Sequence, residues 1–193
     1  MLLRRRAFLL TPILGARAGQ AADSDDAARL LTEGGAVAAF RHTLAQGTFD
    51  PPGFAIGDCS TQRNLSDEGR AQARQLGSWF KARQLQPTQV RSSPWCRCVD
   101  TATLAFGAAT VWPALGSPSG QTAEATSGRQ LALRLALQAA SRQQGVHGAF
   151  EVWVTHMFVM NDLAQVALAP GEGLVLRADP AGAPQVLARI MVA

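Results

Sequence analysis

Short apolar segments, each closed by a charged or turn-forming cluster, alternate along this chain with stretches of helical periodicity, and that alternation limits the fold more than any other feature. Residues 36–40 are apolar and lie between Gly34-Gly35 and Arg41-His42. Residues 86–91 end at Ser92-Ser93-Pro94, residues 111–112 end at Pro113, and residues 151–155 run directly into His156. Short segments with such stops read as strand candidates, the apolar 36–40 and the 151–155 segment most clearly. Helix-like segments separate them. The first opens at Ser24, carries Asp25 and Asp26 in its first turn and stops at Gly34. Others cover residues 66–84, with Leu76, Trp79 and Phe80 able to share a buried face, then 95–107 and 130–142, and one ends near Leu168. Two late strands, 174–177 and 185–190, complete the chain. Spacings of this kind suit right-handed βαβ crossovers, so the expected architecture is a three-layer α/β/α sandwich with a mostly parallel central sheet.

Composition narrows the function classes. With 193 residues, 47% hydrophobic and 17% charged, and with no like-charged run, the chain fits one globular domain and neither a disordered segment nor a nucleic-acid-binding arm. The four tryptophans follow no nucleic-acid pattern and read as core or crevice wall. The formal charge of +4 is local in origin, because Arg4, Arg5, Arg6 and Arg17 all precede residue 23. That stretch has a basic start, an apolar run over 7–16 and the small residues Ala18, Gly19, Ala21 and Ala22, which is the layout of an export signal. The run is too short for a bilayer, which needs roughly 20 residues. Arg5-Arg6-Ala7-Phe8-Leu9 resembles the twin-arginine type of signal. The expected organisation is therefore an export signal over 1–22 and a single domain over 23–193, periplasmic or otherwise exported, with no stable membrane anchor after signal removal. Loss of the four arginines takes the basic side chains from 18 to 14, equal to the 14 acidic ones, and the argument for an anionic partner disappears.

In sheets of this class the ligand crevice lies beyond the carboxyl ends of the strands. Three segments put unusual chemistry there: Arg41-His42-Thr43, Arg91-Ser92-Ser93-Pro94-Trp95-Cys96-Arg97, and Thr155-His156. Arginine is always charged and offers a planar fork matched to phosphate oxygens. Histidine can attack through one ring nitrogen while the other is held by a hydrogen bond. Together they read as a phosphoryl site with a histidine nucleophile. Either histidine alone would more readily be a structural, hydrogen-bonded side chain. A metal site from His42, His147 and His156 has no supporting ligand spacing, so no metal and no cofactor is expected, and His147 reads as a surface loop residue.

At these residues the chain resembles the histidine phosphatase superfamily, also called phosphoglycerate-mutase-like. Arg41-His42-Thr43 matches the family's Arg-His-Gly, and Leu65-Ser66-Asp67-Glu68-Gly69-Arg70-Ala71-Gln72-Ala73 its Leu-Thr-x-x-Gly-x-x-Gln-Ala. Ser92-Ser93-Pro94-Trp95-Cys96-Arg97-Cys98-Val99-Asp100-Thr101-Ala102 matches Ser-Ser-Pro-x-x-Arg-x-x-x-Thr-Ala, and Val152-Trp153-Val154-Thr155-His156-Met157 maps to the late Val-x-Thr-His. The resemblance implies that His42 attacks phosphorus, that Arg41 and Arg97 bind the phosphoryl oxygens and that His156 completes the pocket. It implies a phosphomonoester hydrolase acting on a small-molecule phosphate ester, which the amino-terminal signal makes an exported one. The alternative is a catalytically weak or inactive phospho-ligand-binding protein of the same fold. Arg63, which ends the long 43–64 loop, is a candidate phosphate or substrate contact. Nearby arginine charge is expected to lower the pKa of His42.

Three departures qualify the match. Thr43 stands where the family has glycine, and its β-branch is expected to narrow the pocket or reshape the turn. Glu124, in a segment 113–127 of loop composition, is the candidate general acid but lacks the family's surrounding sequence, and His156 is followed by Met157 rather than aspartate. The cysteines, Cys59, Cys96 and Cys98, are odd in number. Cys96 and Cys98 are two apart on an expected helix and do not face each other, so any intramolecular bridge must use Cys59 and would pin the 43–64 loop beside Arg97. The other possibility is three reduced, buried thiols.

Overall fold

The first strand, β1 (Ala36–Arg41), is apolar on both faces because it lies inside a sheet covered by helices on each side, and all of it but Arg41 is buried. This computed structural model describes residues 24–118 and 122–191. The expected export signal over 1–22 lies outside them. Five further strands pair around β1: β2 (Gln89–Ser92), β3 (Thr110–Val111), β4 (Phe150–Thr155), β5 (Gly173–Ala178) and β6 (Pro184–Ile190), in the order β3-β2-β4-β1-β5-β6. The first four in that order run parallel, whereas β5 is antiparallel to β1 and β6 to β5.

Alternation along β1 separates two cores. Ala36, Ala38 and Phe40 face a layer formed by α1 (Ser24–Glu33), α2 (Asp67–Ala82) and α3 (Cys96–Phe106). Val37 and Ala39 face the other layer, α4 (Ala123–Ser141) and α5 (Met157–Ala164), along with Trp153, Leu174 and Leu176. Phe80 organises the first core, with its ring centroid 6.0 Å from Phe40, 4.9 Å from Trp79 and 5.0 Å from Phe106 in edge-to-face arrangements. Each such pair adds about 0.5–1.5 kcal/mol beyond area burial, enough to hold α2 and α3 in register with the sheet.

Local signals set the helix ends near the active face. Ser66 caps α2 by accepting the Gly69 N–H at 3.0 Å, as its sequence position suggests. Gly69 is required there by close approach, since a Cβ on it would lie 1.9 Å from the Leu44 carbonyl oxygen. The 113–127 segment is not all loop: after a single 3-10 turn (Pro113–Leu115), α4 begins at Ala123, two turns before the residue where periodicity first becomes visible. Thr122 caps it, accepting the Ala125 N–H at 3.2 Å, and the buried Arg129, Leu133, Leu137 and Ala140 hold it to the sheet. Tertiary packing thus extends the helix into a stretch of weak helix formers. β2 starts at Gln89 rather than at residue 86, because sheet pairing reaches only that far. Among the described residues, no helix is long and apolar enough to cross a membrane.

Candidate active site

Strand register assembles the site. Arg41 stands opposite Thr155 in the parallel β1–β4 pair, so the next residue of each strand, His42 and His156, emerges at the same sheet edge. The His42 N–H donates to the Thr155 carbonyl at 2.9 Å, and the two imidazole centroids lie 5.6 Å apart. On the other side of β4, Ser92 pairs with Val154, which sets Ser93 beside His156 and starts α3 at the site. The two nearly invisible details of the sequence, one residue of register on each side, thereby bring three distant segments together.

The tautomer of His42 follows from its partners. Nδ1 lies 2.7 Å from the Thr43 carbonyl, which can only accept, so Nδ1 carries the proton. Nε2 keeps its lone pair and accepts from Arg97 Nε at 3.3 Å. Burial lowers the His42 pKa to about 3, with Arg97, Arg63 and Arg41 adding to the effect and the Thr43 hydrogen bond opposing it. The arginine charges expected to depress this group are therefore secondary to desolvation. His156 bonds Ser93 Oγ through Nε2 at 2.8 Å and stands edge-on to Trp95 at 5.1 Å. Its pKa lies well below the usual histidine range, first through burial and then through His42 and the arginines.

Three arginines converge on this pair. Arg97, with 6% of its side chain exposed, donates through Nη1 to Asp50 Oδ1 at 2.8 Å. Arg41 donates Nη1 to the Leu168 carbonyl at 2.8 Å, and Arg63 donates Nη1 to the carbonyls of Ala45 and Gly47 at 3.2 and 2.7 Å. The Nε atoms of Arg41 and Arg63 are buried without a hydrogen-bond partner. Such orphans are costly unless a ligand meets them. All three arginines and both histidines line one cleft of about 580 Å³. Its walls include Phe49, Phe54, Trp95, Met157 and Phe158.

Other candidate residues are disposed differently. Glu124 is exposed in the first turn of α4 and is not among the residues lining the cleft. The backbone N–H at the helix start and Thr122 hold its carboxyl below the usual range, which suits a carboxylate and not a proton donor. His147 is exposed in the turn before β4. Thr43 is fully buried and is not among the residues lining the cleft; its φ is not positive, and its N–H and hydroxyl bond Thr101 Oγ1, both at 3.1 Å. The residue that sequence reasoning missed is Asp50. Burial acts to raise its pKa, but the Arg63 N–H at 3.0 Å, Arg97 and the Trp95 Nε1 donor at 3.3 Å hold it below the usual value. Only its place in a long loop could have marked it, since Arg97 is 47 positions away. The cysteine question resolves to a Cys59–Cys96 disulfide, with Cys98 a buried free thiol 3.6 Å from His156 Nε2. Burial pushes the Cys98 thiol up to about 12, so it is neutral and inert as a nucleophile. Among the described residues, no group of three His, Cys, Asp or Glu side chains is disposed to hold a metal ion.

Residues 55–115 match the family model of the histidine phosphatase superfamily (branch 1). That segment contains Arg63 and the motifs at 65–73 and 92–102. The matched segment is similar to the histidine phosphatase superfamily, and the fold is shared with solved histidine phosphatases. The protein histidine phosphatase SixA, solved with tungstate, has a TM-score of 0.57 and 18% identity, covering 80% of this chain and 96% of that one. A phosphoserine phosphatase variant of Entamoeba histolytica, solved with phosphoserine, has a TM-score of 0.56 and 14% identity, covering 80% and 95%. A mycobacterial glucosyl-3-phosphoglycerate phosphatase has a TM-score of 0.54 and 15% identity, covering 79% and 98%. No curated protein matches the chain in sequence.

Within this histidine phosphatase fold the two buried imidazoles make stability pH-dependent. In the unfolded chain histidine takes a proton near 6.5, whereas in the fold His42 does so only near 3. The unfolded state therefore binds more protons between those values, and stability present above about pH 6.5 is lost as pH falls toward 3. Thermal melts from pH 7.5 to 4 should decline steeply, and His42→Gln should flatten the decline. A profile identical in wild type and variant would show that His42 is not buried in its neutral form.

Proposed function

We propose that this chain is an exported phosphomonoester hydrolase that forms a phosphohistidine on His42. The observation that carries the reading is the lone pair of His42 Nε2, fixed by the Thr43 carbonyl and set in a cleft with the unpartnered Nε atoms of Arg41 and Arg63. Nε2 attacks phosphorus, the bond from phosphorus to the ester oxygen breaks, and the leaving group departs with its electron pair. Water then attacks the phosphorus on nitrogen, the P–N bond breaks, Nε2 regains its lone pair and inorganic phosphate leaves. Arg41, Arg97 and Arg63 meet the charge on the transferred group, which is where most of the acceleration of phosphoryl transfer arises. His156, neutral and held by Ser93, completes the pocket beside His42.

Export is supported by the arginine-led apolar start of the sequence and by the Cys59–Cys96 disulfide, a bond characteristic of oxidising compartments. One observation favours the binding-protein reading instead: among the described residues lining the cleft, no carboxylic acid is free to protonate a leaving oxygen, since Asp50 is engaged by Arg97. The deciding experiment incubates the protein with phosphate-labelled nitrophenyl phosphate and quenches in alkali, in which phosphohistidine survives. An enzyme gives an adduct mapped to His42 together with multiple turnovers. Phosphate binding without either result makes the chain a binder.

A further inference from the structure

We infer that the cleft is built for small aryl phosphates, with the phosphoryl group on the arginine floor and the aromatic ring against Phe49, Phe54, Trp95 and Phe158. This rests on the phosphatase reading above and adds the substrate class. Three observations converge on it.

The first is charge. The charged residues lining the cleft are Arg41, Arg63, Arg97 and Asp50, so with both histidines neutral the floor carries a net charge of +2. That balances one phosphate dianion and leaves no cation for a second phosphate or a carboxylate. Asp50 has Oδ1 taken by Arg97 and the Arg63 N–H and Oδ2 by Trp95, so no carboxylate is open to a substrate ammonium group either. An amino-acid phosphate or a bisphosphate would thus bring charges that the cleft residues do not meet.

The second is the wall. Phe49 is 80% exposed and Phe158 50% exposed, yet both line the cleft that holds the buried arginines. Phe54 stands 6.1 Å from Trp95, which in turn packs on His156. Apolar rings thus reach from the mouth of the cleft to the phosphoryl floor, a surface suited to another ring.

The third is the missing proton donor. An alkoxide leaving group needs a proton in the transition state, whereas a phenol, with a pKa of about 10, departs far more readily without one. The residue set that lacks a free acid is the same one that offers an aromatic wall.

Calorimetric titration of the whole protein with inorganic phosphate, methylphosphonate and phenylphosphonate isolates the wall from the leaving group, because no phosphonate turns over. Phenylphosphonate should bind about tenfold or more tighter than methylphosphonate, and the ratio should fall to within about threefold in the Phe49→Ala, Phe158→Ala double variant. Equal binding of the two phosphonates, with phosphate also bound, overturns the inference and leaves the phosphatase reading standing. A preference retained in the double variant removes the assigned wall. No binding of phosphate or either phosphonate overturns the phosphatase reading itself. A phosphotyrosyl peptide separates the sources of the aryl group: affinity well above that of phenylphosphonate would overturn the small-molecule assignment.

Discussion

His42→Ala is expected to lower turnover of nitrophenyl phosphate by roughly 10³-fold or more and to leave no phosphohistidine adduct. The size of the loss follows from what the residue alone supplies. The other imidazole lining the cleft, His156, has its Nε2 in a shorter hydrogen bond, 2.8 Å to Ser93 Oγ, than the 3.3 Å contact of His42 Nε2 with Arg97, and the Cys98 thiol does not line the cleft. The fold should tolerate the change, since His42 packs at the sheet edge and its backbone pairing to Thr155 remains. Arg97→Ala is expected to differ in kind. It removes a donor to the phosphoryl group, which costs about 10²–10³ in rate, and strands the Asp50 carboxylate without its partner. The adduct should still form on His42, only slowly. Full activity in a folded His42→Ala protein would falsify the mechanism.

Much of the fold was legible in the sequence, and the physical reason is visible in β1 and β4. Residues 36–40 of β1 and 152–154 of β4 are apolar runs because they are covered on two faces, and both strands run into polar or charged residues at the site. The parallel βαβ order followed from that. Less legible was the amino-terminal half of α4, where threonine, serine and glycine offer little propensity, and the burial of Arg129 and Leu133 against the sheet overrides it. At the site, Arg41, His42 and His156 converge because strand register and strand ends are short-range consequences of pattern, and Arg97 follows from the first turn of α3. Asp50 and the disposition of Glu124 depend on how a loop folds back over tens of residues, and no periodicity encodes that. Thr43 is a related case: its hydroxyl partner, Thr101, sits on α3, and only the packed structure brings the two together.

The Cys59→Ser, Cys96→Ser protein is expected to lose about 4 kcal/mol of stability, which follows from closing a loop of about 38 residues in the chain-entropy picture. For a domain of this size the melting temperature should drop by roughly 10 °C. The bond does more than shorten the unfolded chain, because it fastens the loop before α2 to the first residue of α3. That loop carries Phe49, Asp50, Phe54 and Arg63, all of which line the cleft, whereas His42, Arg41 and His156 belong to strand ends that the bridge does not touch. Removing it should therefore raise KM more than it lowers kcat. The loop is not cast free: Gln62 Oε1 still accepts the Cys96 N–H at 3.0 Å, Asp50 still pairs with Arg97, and Ala45 still bridges Leu65. KM should accordingly rise by about tenfold rather than without limit. Cys59 is exposed, so a thiol reductant should reproduce both effects in the wild type and have none on the double variant. Unchanged melting together with unchanged KM in the double variant would mean that the remaining contacts suffice to hold the loop and that the bridge is incidental to the site.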